Sequence, residues 1–171
     1  MTDYRMVKIM MASVLAVCLL LCGACGSAGE DGKAGQEPVF TLDVAAAGER
    51  LFHELEYRDE LAELAPAVVY ALLGVDSEDV VTQKNYFSST ATAEEIIVFL
   101  AAGQEAAGRL KLALEARIED QKDLYVSYAP EEVVYLNSAV LEQKGDYLIF
   151  CVAADPVAAK KLAGDILAGN E

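Results

Sequence analysis

Two strand pairs separated by one long amphipathic segment restrict this chain to a narrow set of folds. From Gln104 to Tyr125, residues Ala107, Leu110, Leu114, Ile118, Gln121 and Tyr125 keep to one face of a 3.6-residue period while charges fill the other, which predicts a long helix. Glu105 with Arg109 and Lys111 with Glu115 are spaced to pair along it. Upstream, VVTQKNYFSS over Val80–Ser89 is rich in β-branched and aromatic residues and predicts a strand. Thr92-Ala93-Glu94-Glu95 fits a helical capping box, yet Ile96-Ile97-Val98-Phe99-Leu100 is a compact β-favouring run closed off by Gly103, and the strand prevails. Ser88 to Ala93 then becomes a hairpin connection. Downstream, Ser138–Gln143 and Tyr147–Ala154 flank Lys144-Gly145-Asp146, a tight hairpin signal.

Shorter helices complete the pattern. Asp43 can cap a helix carrying Val44, Gly48, Leu51 and Leu55 on one face, and Pro66 opens a second that stops at Gly74. Asp76-Ser77-Glu78-Asp79 makes an acidic turn. Pro130 ends the long helix and opens a turn over Glu131–Leu136, while Asp155 caps and Pro156 begins a last helix ending near Gly169. The order is ααββαββα. It predicts an α+β fold with a four-stranded, mainly antiparallel sheet and helices on one face.

The amino terminus does not belong to that fold. Arg5 and Lys8 precede an apolar run from Ile9 to Leu21, followed by Cys22-Gly23-Ala24-Cys25. A basic region, a short apolar region and small residues before a cysteine read as a lipoprotein signal peptide over residues 1–24, with Cys25 as the lipidated residue. Cys22 stands where the usual motif has Leu, and Met6 is an alternative start. An uncleaved anchor and plain secretion are the competing outcomes. Residues 25–38, ending GSAGEDGKAGQEP, are a flexible tether with a reach of about 20 Å. Residues 39–171 are the single domain. The expected location is the extracytoplasmic face of the cell membrane, held by lipid.

Charge narrows the partners. The chain has 13 basic and 28 acidic residues; the leader holds Arg5, Lys8 and Asp3, so the remainder carries a net charge of −16. Such a molecule repels phosphate backbones, which argues against nucleic acid, and also repels anionic lipid, so attachment must come from the acyl chains. An acidic Ca²⁺-responsive module is one reading of the same charge.

No catalytic set assembles from the sequence. His53 is the lone histidine and sits off its helix's apolar stripe; Cys151, inside YLIFCVA, reads as a small core residue. Neither a catalytic, a cofactor-binding nor a metal site is expected, and no cofactor: Asp76, Glu78 and Asp79 lack the glycine and closing glutamate of an EF-hand loop. Ser88, Ser89, Thr90 and Thr92 supply hydroxyls without a visible base, and Glu94-Glu95 and Glu131-Glu132 supply paired acids, so an envelope hydrolase is the enzymatic alternative. Tyrosine is the one enriched aromatic, and Tyr86, Tyr128 and Tyr135 form a candidate binding surface. The favoured reading is a non-enzymatic module for an envelope protein or small ligand.

From Ser88 to Ala154 the order SSTATAEEIIVFLA, ALEARIEDQKDLYVSYAPEEV and GDYLIFCVAAD resembles the Gram-positive lipoprotein family called domain of unknown function 4358. The resemblance implies a membrane-anchored extracytoplasmic domain and favours a strand over Glu94–Ala101. It implies no reaction and no site residues.

Overall fold

The computed structural model describes residues 40–170, which belong to one compact unit, Val39–Glu171. The readings of residues 1–24 as a leader, of Cys25 as the acylated residue and of 25–38 as a tether lie outside the described residues. The elements are α1 (Val44–Glu54), β1 (Leu61–Ala62), α2 (Pro66–Leu73), β2 (Val80–Ser88), β3 (Glu95–Ala101), α3 (Gln104–Tyr125), α4 (Glu132–Leu136), β4 (Val140–Lys144), β5 (Tyr147–Val152) and α5 (Pro156–Ala168), with a 3₁₀ turn at Ser77–Asp79 before β2.

The strands form one antiparallel sheet in the order β1-β2-β3-β5-β4. Two corrections to the expected fold follow. There are five strands rather than four, and the helices cover both faces rather than one. The fifth, β1, is only two residues long and exists through its pairing of Leu61 with Ser88 and Ala62 with Phe87. Beyond it, the buried Asn85 side chain extends the edge: Oδ1 accepts from the Leu64 N–H at 2.9 Å and Nδ2 donates to the Leu64 carbonyl at 3.0 Å. An amide side chain thus substitutes for a peptide group in the ladder.

The two-sided cover has a direct sequence cause. β3 and β5 read EIIVFLA and YLIFCV, unbroken apolar runs, as expected for strands buried on both faces. Tyr86, Ile96, Val98, Ile149 and Cys151 meet α1 and α5 on one side. Phe87, Ile97, Phe99, Leu148, Phe150 and Val152 meet α2, α3 and the segment leading into β4 on the other. Each fully buried Phe, Ile or Leu contributes roughly 1.5–3 kcal/mol. On the first face α1 approaches β2 closely at Gly48, where an added Cβ would meet Lys84 Cβ at 2.8 Å.

Helix ends follow their capping residues. Asp43 accepts from the Ala46 N–H at 3.1 Å, and Asp155 accepts from Val157 and Ala158 at 2.9 and 3.1 Å. Gly74, at φ 64°, ends α2 in the left-handed conformation. Arg109 reaches across to Asp79, its Nε donating at 2.8 Å, instead of pairing along α3 with Glu105. Register sets two poles. Tyr147 lies opposite Leu100 at the pole that carries the Gly145-Asp146 turn, whereas Val152 lies opposite Glu95 and Ser88 opposite Leu61 at the other.

Candidate functional site

At the pole where β2 turns into β3, three buried carboxylates sit within the mostly apolar interior, and cations were brought to them. Glu94 and Glu95 are each 1% exposed and Glu132 is 4% exposed. A carboxylate at such depth persists only when paired and hydrogen-bonded. Glu94 accepts from the backbone N–H of Arg58 at 2.8 and 3.0 Å, from that of Asp59 at 3.0 Å, and from the Thr92 hydroxyl at 3.1 Å. The Arg58 guanidinium adds Nε at 3.2 Å to Glu94 and grips Glu132 with two parallel bonds of 2.7 Å. Its carbon lies 3.7 Å from the centre of the Tyr135 ring, a cation–π stack. The Ala93 N–H donates to Glu132 at 2.8 Å.

The arrangement ties three distant segments together: the link between α1 and β1, the β2–β3 loop, and α4. Arg58 hydrogen bonding, the largest influence, holds the Glu132 carboxyl below its ordinary value despite its burial. Glu95 turns to the other face, where Arg117 of α3 supplies Nε at 2.8 and 2.9 Å and Nη2 at 2.6 Å. Burial pushes its carboxyl up, with Arg117 opposing.

The hydroxyl loop is built on the same plan. Ser88 Oγ donates to Asp59 Oδ2 in a short contact and accepts from the Thr90 and Thr92 N–H groups, each at 3.3 Å. Thr90 donates to Asp59 through its hydroxyl at 2.7 Å and its N–H at 3.0 Å. These bonds hold the Asp59 carboxyl down at about 2, so it is ionised but a feeble proton acceptor at neutral pH. Ser88 is therefore engaged as a loop staple.

The other residues singled out by sequence disperse over the molecule. His53 is exposed on α1, with Nε2 3.3 Å from Glu49 and its ring edge-on to Phe52. Cys151 is fully buried in β5, 3.8 Å from the Tyr57 hydroxyl, and burial pushes its thiol up to about 12. Asp76 caps the 3₁₀ turn by accepting from Glu78 at 3.0 Å, and Asp79 belongs to Arg109. Among the described residues, no group of three or more His, Cys, Asp or Glu is placed to hold a metal ion.

The three tyrosines occupy different settings. Tyr86 faces α1, stacked on Phe52 at 4.4 Å and donating to Glu49 at 2.7 Å. Tyr135 packs against the core of the opposite face beneath Arg58, and Tyr128 stands 56% exposed beside Tyr125 at 5.1 Å. The structure does not bring Tyr86 and Tyr135 to one surface.

Sequence reasoning missed Arg58, Asp59 and Arg117. The available signal was the pair of acids, Glu94-Glu95, at the mouth of an apolar run, a place where burial demands a cation. Among the described residues no helix is long and apolar enough to cross a membrane. No curated protein and no solved structure matches the chain. Residues 63–153 match the family described as a domain of unknown function (DUF4358), and the match takes in β2 through β5 together with the Glu94 and Glu132 carboxylates. The chain belongs to that family.

Proposed function

We propose that this chain is a lipoprotein of a Gram-positive cell, acylated at Cys25 and held on the outer face of the cytoplasmic membrane, where its domain binds another envelope protein or a small ligand without catalysing a reaction. One observation carries the binding reading. The polar groups of the candidate site are committed to one another: Glu94 and Glu132 take up Arg58, and Asp59 takes up Ser88 and Thr90. Such a site rigidifies a surface, and Asp59, the acid bonded to Ser88, is held too low to act as its base at neutral pH.

The anchoring reading is supported by the sequence at residues 1–25. Two acyl chains hold stably where one would exchange, at about 0.8 kcal/mol per buried methylene. Fractionation of cells carrying Cys25→Ala tests it. The expected result is loss of the protein from the membrane fraction, with the parent's amino-terminal peptide heavier by its acyl groups in mass spectrometry. A variant as membrane-bound as the parent would overturn the reading.

A further inference from the structure

Exposed apolar side chains are ordinary when scattered and informative when gathered. Of the nine large hydrophobic residues exposed among the described residues, four fall between positions 124 and 134: Leu124 at 60%, Val126 at 60%, Tyr128 at 56% and Val134 at 66%. They belong to the corner where α3 ends and α4 begins. That corner lies at the pole of the Arg58 cluster, because the Tyr125 hydroxyl donates to the Thr92 carbonyl at 2.8 Å. Around it stand the exposed acids Asp120, Asp123 and Glu131, whose side chains have no partner among the described residues.

We propose that this corner is the docking surface for a basic, apolar segment of another envelope protein. The inference rests on the binding-module reading above and gives that module a face and a partner chemistry. Two observations select the occupant. First, exposed apolar side chains that include an aromatic, with charged residues beside them in the chain, are the usual composition of a protein-binding patch. Second, Asp120, Asp123 and Glu131 are unpaired beside the Lys122–Glu119 pair, so a partner bearing Lys or Arg gains where a second copy of this chain, itself at −16 without the leader, would be repelled. The exposed acids also disfavour anionic lipid as the occupant.

The test places a photo-crosslinking phenylalanine at position 128 of the full chain in intact cells, with the same probe at position 157 as an exposed apolar control. The adduct is digested and the crosslinked segment sequenced. The expected adduct is to another protein, through a segment with excess Lys and Arg beside apolar residues. Reversing the exposed acids with Asp123→Lys and Glu131→Lys should cut its yield at least tenfold while the melting temperature stays unchanged. An adduct to the chain itself, an adduct to lipid, a yield no higher than at position 157, or a yield indifferent to charge reversal would each overturn the proposal. Recovery of the probe-bearing protein in the soluble fraction is a separate outcome, which refutes anchoring at Cys25 and leaves the docking readout to stand or fall by its adduct.

Discussion

Replacing Arg58 with Met keeps the aliphatic stem and removes the charge that faces two buried carboxylates. The two do not suffer equally. Glu94 retains two backbone N–H donors and the Thr92 hydroxyl, none of which depends on the Arg58 side chain. Glu132 retains only the Ala93 N–H, so most of the penalty falls there. Orphaning one partner of a buried ion pair costs about 3–5 kcal/mol; with Arg58 28% exposed, water relieves part of this and about 3 kcal/mol is expected. For a domain of this size that is a drop of roughly 10–15 °C in Tm. The pH dependence has a definite sign. Arg58 lowers the folded pKa of Glu132, so the latch contributes fully above the unfolded carboxyl value of about 4.3 and is lost as pH falls through the depressed folded value. In Arg58→Met the same carboxyl is raised by burial and takes up a proton earlier, so the gap between parent and variant should narrow from pH 7 toward pH 4. Urea and thermal melts at several pH values measure it. Adding Glu132→Leu to Arg58→Met should recover much of the loss by removing the orphaned charge. A single variant within about 1 kcal/mol of the parent at neutral pH, or a double variant no more stable than the single, would refute the reasoning.

Asn85→Ala should destabilise by about 2–4 kcal/mol, since it strands the Leu64 N–H and carbonyl that its amide satisfies; chemical denaturation reads this, and a neutral effect would mean that water replaces the amide. Tyr86→Ser should cost about 3 kcal/mol through loss of the Phe52 stack and the bond to Glu49, whereas Tyr128→Ser should stay within about 0.5 kcal/mol; equal melting of the two would contradict their placement. Cys151, buried with its thiol near 12, should resist alkylation at pH 8 until denaturant opens the domain, and peptide mapping showing native modification at that site would count against its core position.

Much of the domain is written locally. Pro66 and Gly74 bracket α2, Asp155 and Gly169 bracket α5, and the stripe along Gln104–Tyr125 matches α3 because each signal acts within a few residues. The Gly145-Asp146 turn between β4 and β5 is legible for the same reason. The two-sided sheet was legible too, in the unbroken runs of β3 and β5, but antiparallel hairpins suggest a solvated face and that expectation masked it. β1 was beyond local reading, because two residues become a strand only through their neighbour. The candidate site was equally hidden: Arg58 lies 36 residues from Glu94 and 74 from Glu132, and no periodicity links them. The adjacent acids were visible as residues, whereas their depth and their cation were products of the tertiary fold.

The sheet closed in on both sides has a consequence for how the molecule comes apart. β3 and β5 are the shared floor of two separate layers, so peeling away either α1 with α5 or α3 with its neighbours lays bare the same central strands. A half-opened form would therefore leave one whole flank of the sheet wet, and its population is suppressed. Amide hydrogens in those two strands should exchange with solvent only through complete unfolding, and the domain should behave as one cooperative unit.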